Sequence, residues 1–149
     1  MQAGTIESYL ATPLGIVIFV AVLWCAVCYL IGIFSGWLSL CRRFKQQSDP
    51  YGDSKTAGPF FYTVYMRFWG HYSSVIRLTA ASDALYASIL FPFRVGHPPL
   101  RIPWNEIQIG NEKFLWQRHI VLTLGSVEKI PMRISERMAR NLGFIDRAS

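Results

Sequence analysis

The longest apolar stretch of the chain runs from Leu14 to Phe34 and contains no charged residue. Its 21 residues, at about 1.5 Å of rise each, are enough for a helix to cross a hydrocarbon core of about 30 Å. We therefore predict a transmembrane helix with its interfacial end over residues 14–40, preceded by a short extracytoplasmic N-terminus, residues 1–13. The alternative is a core helix of a soluble domain, but such helices rarely lack charge on every side over this length.

Behind this segment the pattern changes to the two-residue period of β-strands. The even positions from Phe60 to Phe68 are all apolar, as expected for a strand with one buried face. Shorter apolar runs follow between turn residues, and they predict strands at 72–80, 85–91, 100–104, 114–117, 119–124 and 128–132, with turns that include Gly110-Asn111 and Gly125-Ser126. Short strands at this spacing indicate an antiparallel sandwich or small barrel.

The last part of the chain has the pattern of a short amphipathic helix. Ser135 is a suitable N-cap, apolar residues recur at helical spacing over 136–142, and Gly143 followed by Phe144 is typical of a helix end. Six or seven strands followed by one C-terminal helix is the order of a pleckstrin-homology (PH) or GRAM-like domain. We assign this domain to residues 59–149.

A polar connector separates the two parts. Residues 46–58 are rich in Gly, Pro, Ser and Asp, and together with the basic residues before them they form a juxtamembrane stretch and linker over 41–58. If the connector 46–58 is flexible, its 13 residues span about 20 Å on average, and the domain is then held close to the bilayer.

Basic residues predict the orientation of the helix. Arg42, Arg43 and Lys45 follow it, whereas no Lys or Arg precedes it. The positive-inside rule then places the N-terminus outside and the β domain in the cytoplasm, at the inner (plasma) membrane. Trp37 is expected at the membrane surface with these three residues, because interfacial aromatics lie there. A cleaved signal peptide is disfavoured, since it needs a basic N-terminal region and a small-residue cleavage site.

One segment resembles a known family. The stretch from Ala84 to Ile107, with its GHPPLRIPW core, resembles small single-pass bacterial membrane proteins of uncharacterised function. The resemblance covers about half of the chain and implies an N-terminal membrane helix before this segment. It implies the architecture, and no activity, because the family has no agreed function.

Catalytic chemistry is not indicated by the residues. The sequence has no phosphate-binding loop, no zinc-protease or nucleophile-elbow motif, and three dispersed histidines. Its three cysteines lie in or beside the apolar helix and imply no disulfide framework. We therefore predict no catalytic residue, no metal site and no cofactor.

Small residues recur every four positions along one side of the apolar helix. Cys28, Gly32 and Gly36 form this stripe, and small residues allow two helix backbones to approach closely in lipid. The stripe predicts a packing face for a second copy or for a larger membrane complex. The alternative is that the stripe has no partner, since Gly is common in membrane helices.

Charge provides a further interaction surface. Residues 51–149 contain 12 Lys and Arg against 7 Asp and Glu, and basic residues near an anionic leaflet contribute about 1 kcal/mol each. Arg137, Arg140 and Arg147 are predicted to share the exposed face of the last helix. The alternative is that the basic excess only satisfies topology and solubility. Nucleic acid is not expected, because the basic residues are dispersed and no binding motif accompanies them.

A proline-rich loop is the last candidate site. Two adjacent prolines after Gly96-His97 make a stiff segment, which would display Arg94, His97, Arg101 and Trp104 for protein contact. The alternative is a structural loop in which Trp104 belongs to the core.

These features favour a non-enzymatic, membrane-anchored interaction module that binds a protein or the anionic leaflet beside its anchor. A different hypothesis is an accessory subunit of a larger membrane complex, for example an energy-transducing one, packed through its helix and β domain. An enzyme of unknown class is the third.

Overall fold

The computed structural model describes residues 12–47, 54–57, 62–67, 70–114 and 117–144 of the chain. Its first helix, α1, is Pro13–Phe34. The Thr12 side chain accepts a hydrogen bond from the Gly15 amide, and Pro13 occupies the first helical turn, where its missing N–H needs no partner. Helix α1 is long and apolar enough to span a membrane.

Most of α1 is not covered by the rest of the protein. Within α1 only Cys28 and Gly32 are buried, whereas its large apolar side chains are exposed along its length. A helix in the core of a soluble domain would be covered on every side. The exposure of α1 therefore excludes the core-helix alternative.

A second helix, α2 (Trp37–Phe44), follows directly and belongs to the β domain. Gly36 has a φ of +83°, a left-handed conformation that glycine adopts at no steric cost, and it separates α1 from α2. Trp37, Leu40 and Phe44 recur at helical spacing and are buried in the hydrophobic core. The predicted continuous segment 14–40 is thus two helices, and the second packs on protein.

The domain contains two antiparallel sheets. The first sheet has the strand order β1-β4-β5-β6; these strands are Lys55–Ala57, Ile76–Ala80, Ala84–Ile89 and Leu100–Pro103. The second sheet has the order β3-β2-β9-β8-β7; these strands are Gly70–Ser73, Thr63–Met66, Ile130–Ser135, Gln117–Leu124 and Ile107–Phe114. A short 3₁₀ turn, Trp104–Glu106, joins β6 to β7.

Alternation along the strands creates the core. In β9 the buried residues Ile130, Met132 and Ile134 alternate with partly exposed ones, which places one face of the sheet on the core. Inward-facing residues of both sheets and of α2 join in one hydrophobic cluster. The predicted fold class of an apolar helix plus an antiparallel β domain is confirmed, with nine strands among the described residues rather than the six or seven expected.

Strand boundaries differ from the prediction at several points. The run predicted as one strand over 72–80 is divided at Ser74, whose φ of +59° turns the chain, so that β3 and β4 belong to different sheets. The turn predicted at Gly110-Asn111 is wrong, because β7 continues through it, paired with β8. The predicted last strand, 128–132, is shifted to Ile130–Ser135, because Lys129 still has a positive φ.

The predicted linker is shorter than expected. Lys55–Ala57, within the 46–58 segment, pairs with β4 as an edge strand. On the other side, Lys45 forms a bridge with Leu100, and the Gln46 amide donates to the Pro99 carbonyl. The chain is therefore held to the domain on both sides of residues 48–53, which lie outside the described residues.

The C-terminal helix agrees with its prediction. Helix α3 is Glu136–Asn141, and the Ser135 side chain accepts a hydrogen bond from the Met138 amide. Gly143 has a positive φ, and the Phe144 amide donates to the Ala139 carbonyl, as in a glycine-terminated helix. The helix closes on β1, β8 and β9 with Met138 and Ala139 buried.

Candidate functional site

The small-residue stripe of α1 contacts the proline-rich loop of the same chain. A Cβ on Gly32 would lie 2.7 Å from the Gly96 carbonyl oxygen, and a Cβ on Gly96 would lie 2.9 Å from Tyr29 Cα. Cys28 is 4% exposed. The stripe and the loop, predicted as two separate interaction surfaces, are therefore packed against each other.

Gly36, the third member of the stripe, has a different neighbour. A Cβ there would lie 2.6 Å from the Ile130 side chain at the start of β9. Because Gly36 also has a positive φ, its role in the fold is to let the chain turn closely over the sheet. All three stripe residues thus have contacts within the chain, and none of them remains an open packing face.

A buried polar cluster joins α1 to the domain beside this contact. We call it the joint cluster: Ser35, Tyr72 and His97. The Tyr72 hydroxyl lies 2.8 Å from Ser35 Oγ and 2.9 Å from His97 Nε2. His97 Nδ1 lies 3.0 Å from the Val95 carbonyl, which can only accept, so Nδ1 carries a proton. Every member is therefore hydrogen-bonded, as buried polar groups require.

Burial changes the acid–base properties of this cluster. It lowers the pKa of His97 below its usual value, although hydrogen bonds to the Val95 and Phe93 backbone act in the opposite direction. It raises the pKa of Tyr72 to about 12, against a smaller lowering by the hydrogen bond to Ser35. His97 is 2% exposed, so the expectation that the loop displays it at the surface is wrong. His97 instead fastens the loop to α1.

Trp37 also belongs to this region. It is fully buried, and its indole N–H donates to the Pro98 carbonyl over 2.8 Å. Its ring lies 5.5 Å from the His97 ring, centroid to centroid, in an edge-on arrangement. The prediction that Trp37 lies at the membrane surface is therefore wrong, because the α2 face that carries it is covered by protein.

The tip of the proline-rich loop is apolar and exposed. Outside α1, the exposed large apolar side chains among the described residues are Phe91, Phe93, Val95 and Val127. We call the segment Leu90–Pro98, which contains three of these four, the apolar loop. The Phe93 ring lies 5.1 Å from the Trp24 ring of α1. The apolar loop thus extends along α1 well beyond Gly32.

Sequence reasoning emphasised the polar residues of this loop and missed its aromatic ones. The signal was present in the FPF triplet, which follows β5 but lies outside the alternating pattern of the strand. Apolar residues in a turn cannot be assigned to a buried face of a sheet. Their contact with α1 depends on the tertiary fold.

The basic residues after α1 have different surroundings. Arg43 forms salt bridges of 3.0 Å with Glu106 and 3.5 Å with Glu128. Arg42 and Lys45 are exposed. All three predicted membrane-surface cations are therefore exposed, and Arg43 also connects α2 to the 3₁₀ turn and to the turn before β9.

Three other residues predicted for the loop surface are separated in space. Arg94 is exposed on the apolar loop. Arg101 is bound to Asp83 through contacts of 2.9 and 3.2 Å, and Trp104 donates to the Ala81 carbonyl and packs on Phe144. Burial favours a raised pKa at Asp83, but hydrogen bonds from Tyr86 and Arg101 lower it below its ordinary value. Arg101 and Trp104 therefore stabilise the fold, and Arg94 remains available.

The basic face of α3 lies away from α1. Arg137 and Arg140 are exposed, and Arg140 pairs with Glu136 over 3.2 Å. Strand β9 begins with Ile130 beside Gly36 and leads to α3 at its other end, about 20 Å away for six extended residues. Arg147 lies outside the described residues.

Comparisons with protein-family models, curated proteins and solved structures give no match to this chain. Within the described residues, no three His, Cys, Asp or Glu side chains lie together as a metal site requires. The site must therefore be interpreted from its own geometry: a helix end, a loop fastened to it, and an exposed apolar tip.

Proposed function

We propose that this chain is a non-enzymatic, single-pass membrane protein whose β domain is an interaction module bound to the anionic leaflet beside its anchor. Helix α1 is the anchor, the N-terminus lies outside, and the domain, of PH/GRAM-like type, lies on the cytoplasmic side of the inner (plasma) membrane. The basic residues Arg42, Arg43 and Lys45 after α1, against no Lys or Arg in residues 1–12, support this orientation.

The apolar loop carries this proposal. Trp24, which Phe93 contacts, lies ten residues before the end of α1, or about 15 Å of helical rise. That distance is half of a hydrocarbon core of about 30 Å. A loop that follows a membrane-spanning helix this far enters the lipid with it.

Insertion accounts for the exposed side chains of the loop. Phe91 is 87% exposed, which in water leaves an aromatic ring without partners. Transfer of such a side chain out of water contributes about 1.5–3 kcal/mol. Apolar side chains exposed together on an otherwise polar domain indicate an interaction surface, and the adjacent α1 indicates that the surface is lipid.

The joint between α1 and the domain supports the same function. Because Trp37, Leu40 and Phe44 of α2 are core residues, the domain cannot move away from α1 on a long flexible tether. The domain therefore presents one fixed side to the bilayer. The exposed Arg42 and Lys45 lie at this end, where each cation contributes about 1 kcal/mol of attraction to an anionic leaflet.

The accessory-subunit hypothesis requires packing through the helix and the β domain, and the small-residue stripe is the candidate packing face on the helix. In this structure the apolar loop covers Cys28 and Gly32, and Ile130 covers Gly36, so the stripe offers no support for a helix partner. We therefore favour the leaflet over a larger complex as the binding partner.

The test is the depth of Phe91 in a bilayer. In the full-length protein, with Cys25, Cys28 and Cys41 replaced by alanine, a nitroxide is attached to a Phe91→Cys variant. The protein is reconstituted in liposomes, and collision rates with oxygen and with a water-soluble nickel chelate are measured. We expect high oxygen and low nickel accessibility, because the loop lies in hydrocarbon.

The matched control is a label on an Arg137→Cys variant, at the far end of β9. We expect it to show the opposite accessibility, that of an aqueous site. If the label at position 91 is as accessible to nickel as the label at position 137, the loop lies in water and the proposal fails.

A further inference from the structure

A cavity of about 390 Å³ opens on the outer face of the first sheet, next to the apolar loop. Its floor is formed by β4 and β5, where Arg77 faces Ser88 across the two strands. Thr79 lies on the same face, since side chains of one strand alternate between the faces. Leu78, between Arg77 and Thr79, and Ile76, before Arg77, face the other way and are buried in the core.

Two arginines line this cavity without a carboxylate beside them. Arg77 extends from β4, and Arg94 extends from the apolar loop. No Asp or Glu is among the described residues that line the cavity. Three arginines elsewhere do have acidic partners, namely Arg43 with Glu106, Arg101 with Asp83 and Arg140 with Glu136.

This arrangement favours an anion. Two cationic side chains that line one cavity both attract an anion to it, and each can form a charge-assisted interaction with a bound anion. Guanidinium groups match the geometry of phosphate oxygens, which they bind through paired N–H donors. The Ser88 hydroxyl also lines the cavity and can donate to a further oxygen, whereas the Thr79 hydroxyl is hydrogen-bonded to Thr56 over 3.1 Å.

The rim of the cavity indicates where the anion comes from. Leu90 and the exposed Phe91 form part of the lining, so a ligand bound there has a polar end at the arginines and an apolar side at the loop. The volume lies within the range of about 300–1,000 Å³ that small-molecule sites occupy. A soluble phosphate ester would use the polar part alone, whereas a phospholipid would use both.

We propose that this cavity binds the phosphate of an anionic glycerophospholipid, whose acyl chains lie along the apolar loop and α1. This inference rests on the proposed function, because the rim must lie at the headgroup level. It also explains Arg94, a charged residue within an apolar loop. Its long side chain extends from the inserted loop to the phosphate level, as arginines near a membrane interface do.

The test measures lipid retained by the full-length protein. Wild type and an R77Q/R94Q variant are reconstituted with equal amounts of phosphatidylglycerol and phosphatidylcholine. They are then extracted in mild detergent, and bound lipid is identified by native mass spectrometry. We expect wild type to retain phosphatidylglycerol, and the double variant to retain it at least about tenfold less, since each hydrogen-bonded charge pair removed weakens binding.

An R137Q/R140Q variant is the matched control, because it loses the same charge at the far end of β9. We expect it to retain phosphatidylglycerol like wild type.

A competition experiment adds glycerol 3-phosphate, a soluble phosphate ester, to the lipid-bound protein, and we expect it not to displace the lipid. Equal retention in wild type and R77Q/R94Q overturns the proposal, and so does equal loss in both double variants. Displacement by glycerol 3-phosphate assigns the cavity to soluble phosphate esters and overturns the lipid assignment.

Two further measurements distinguish failure of the lipid-site proposal from failure of the proposed membrane-bound function. The unfolding midpoint of R77Q/R94Q is compared with that of wild type. Equal midpoints show that the variant is folded, so that a reduced retention of phosphatidylglycerol is caused by the change in the cavity. The nitroxide at position 91 is also measured in the R77Q/R94Q background. If the label lies in hydrocarbon but phosphatidylglycerol is not retained selectively, the proposed function stands and the lipid site is excluded. If the label lies in water, both proposals fail.

Discussion

At the residue scale, glycine has two unlike roles in this chain. Gly32 lies in the last turn of α1, where its benefit is the absence of a side chain next to the Gly96 carbonyl. Gly96, with a φ of +73°, needs glycine for its backbone conformation as well as for its contact with Tyr29. The same residue type therefore answers a packing requirement at one position and a conformational requirement at the other.

A Gly32→Ala substitution separates the packing role from helix propensity. Alanine is about 1 kcal/mol better than glycine inside a helix, so propensity alone predicts a more stable protein. The Cβ would lie 2.7 Å from a backbone oxygen, and overpacking costs about 1–3 kcal/mol. We expect a net loss of about 1 kcal/mol, measured as the free energy of unfolding in detergent by tryptophan fluorescence.

Gly110→Ala is the control for this substitution. Gly110 lies in β7, and a Cβ there would have its nearest neighbour at 3.9 Å, so we expect a change within about 0.5 kcal/mol. A Gly32→Ala protein that is more stable than wild type would show that the apolar loop does not pack on α1 as described.

At the scale of elements, α2 is the part of the chain whose role differs most from its prediction. Its arginines and its position after the apolar run are typical of a membrane-surface segment. Its apolar stripe, however, contributes Trp37, Leu40 and Phe44 to the core of the β domain. A membrane surface and a protein core both select an amphipathic helix, so the pattern alone could not distinguish them.

The boundary of the folded domain can be tested by truncation. We expect a fragment of residues 37–149 to fold cooperatively and a fragment of residues 55–149 to lack a cooperative unfolding transition. Truncating one large core side chain costs about 2–5 kcal/mol, and the shorter fragment loses three. That loss is comparable with the whole stability of a typical domain, about 5–15 kcal/mol.

Near-ultraviolet circular dichroism and denaturant titration of both fragments measure this difference, with the longer fragment as the reference. Equal unfolding free energies for the two fragments would show that α2 is dispensable and that the domain begins after the linker.

At the scale of the whole molecule, the joint cluster connects parts that are distant in sequence. Ser35 follows α1, Tyr72 lies in β3 and His97 lies in the apolar loop. The protonation state of this cluster therefore affects how α1, the β domain and the apolar loop are held together. Of its members, His97 alone has an ordinary pKa near neutral, and burial raises the pKa of Tyr72 to about 12.

The free energy of unfolding is expected to fall as the pH drops below about 6.5, the ordinary pKa of histidine. Burial lowers the pKa of His97 in the folded protein, so the unfolded chain takes up the proton first. Stability from this group is therefore complete above pH 6.5 and is lost toward the folded pKa, with a slope of at most about 1.4 kcal/mol per pH unit.

Denaturant unfolding between pH 5 and 8 measures this slope in the wild type, in His97→Gln and in His71→Gln. His71 is exposed and lies outside the joint cluster, so His71→Gln is the matched control, whereas His97→Gln should reduce the slope. An identical slope in all three proteins would exclude His97 as its source.

The sequence by itself determined the apolar helix, the antiparallel β character of the rest and the cap of α3. Each depends on a local property: the hydropathy of a continuous run, alternation along a strand, and side-chain hydrogen bonding at a helix end. Gly110 shows the limit of prediction from local sequence, since a turn-forming residue can also lie inside a long paired strand.

Only the tertiary structure decided what α1, α2 and the proline-rich loop contact. Gly32 and Gly96 are 64 residues apart. A glycine indicates that another segment packs closely at that position, but it does not identify that segment. Likewise His97 has the same local sequence whether it is displayed or buried, and packing against Trp37 and Tyr72 decided that it is buried. Long-range contacts of this kind depend on how the sheets place the loop beside α1, and no local pattern contains that information.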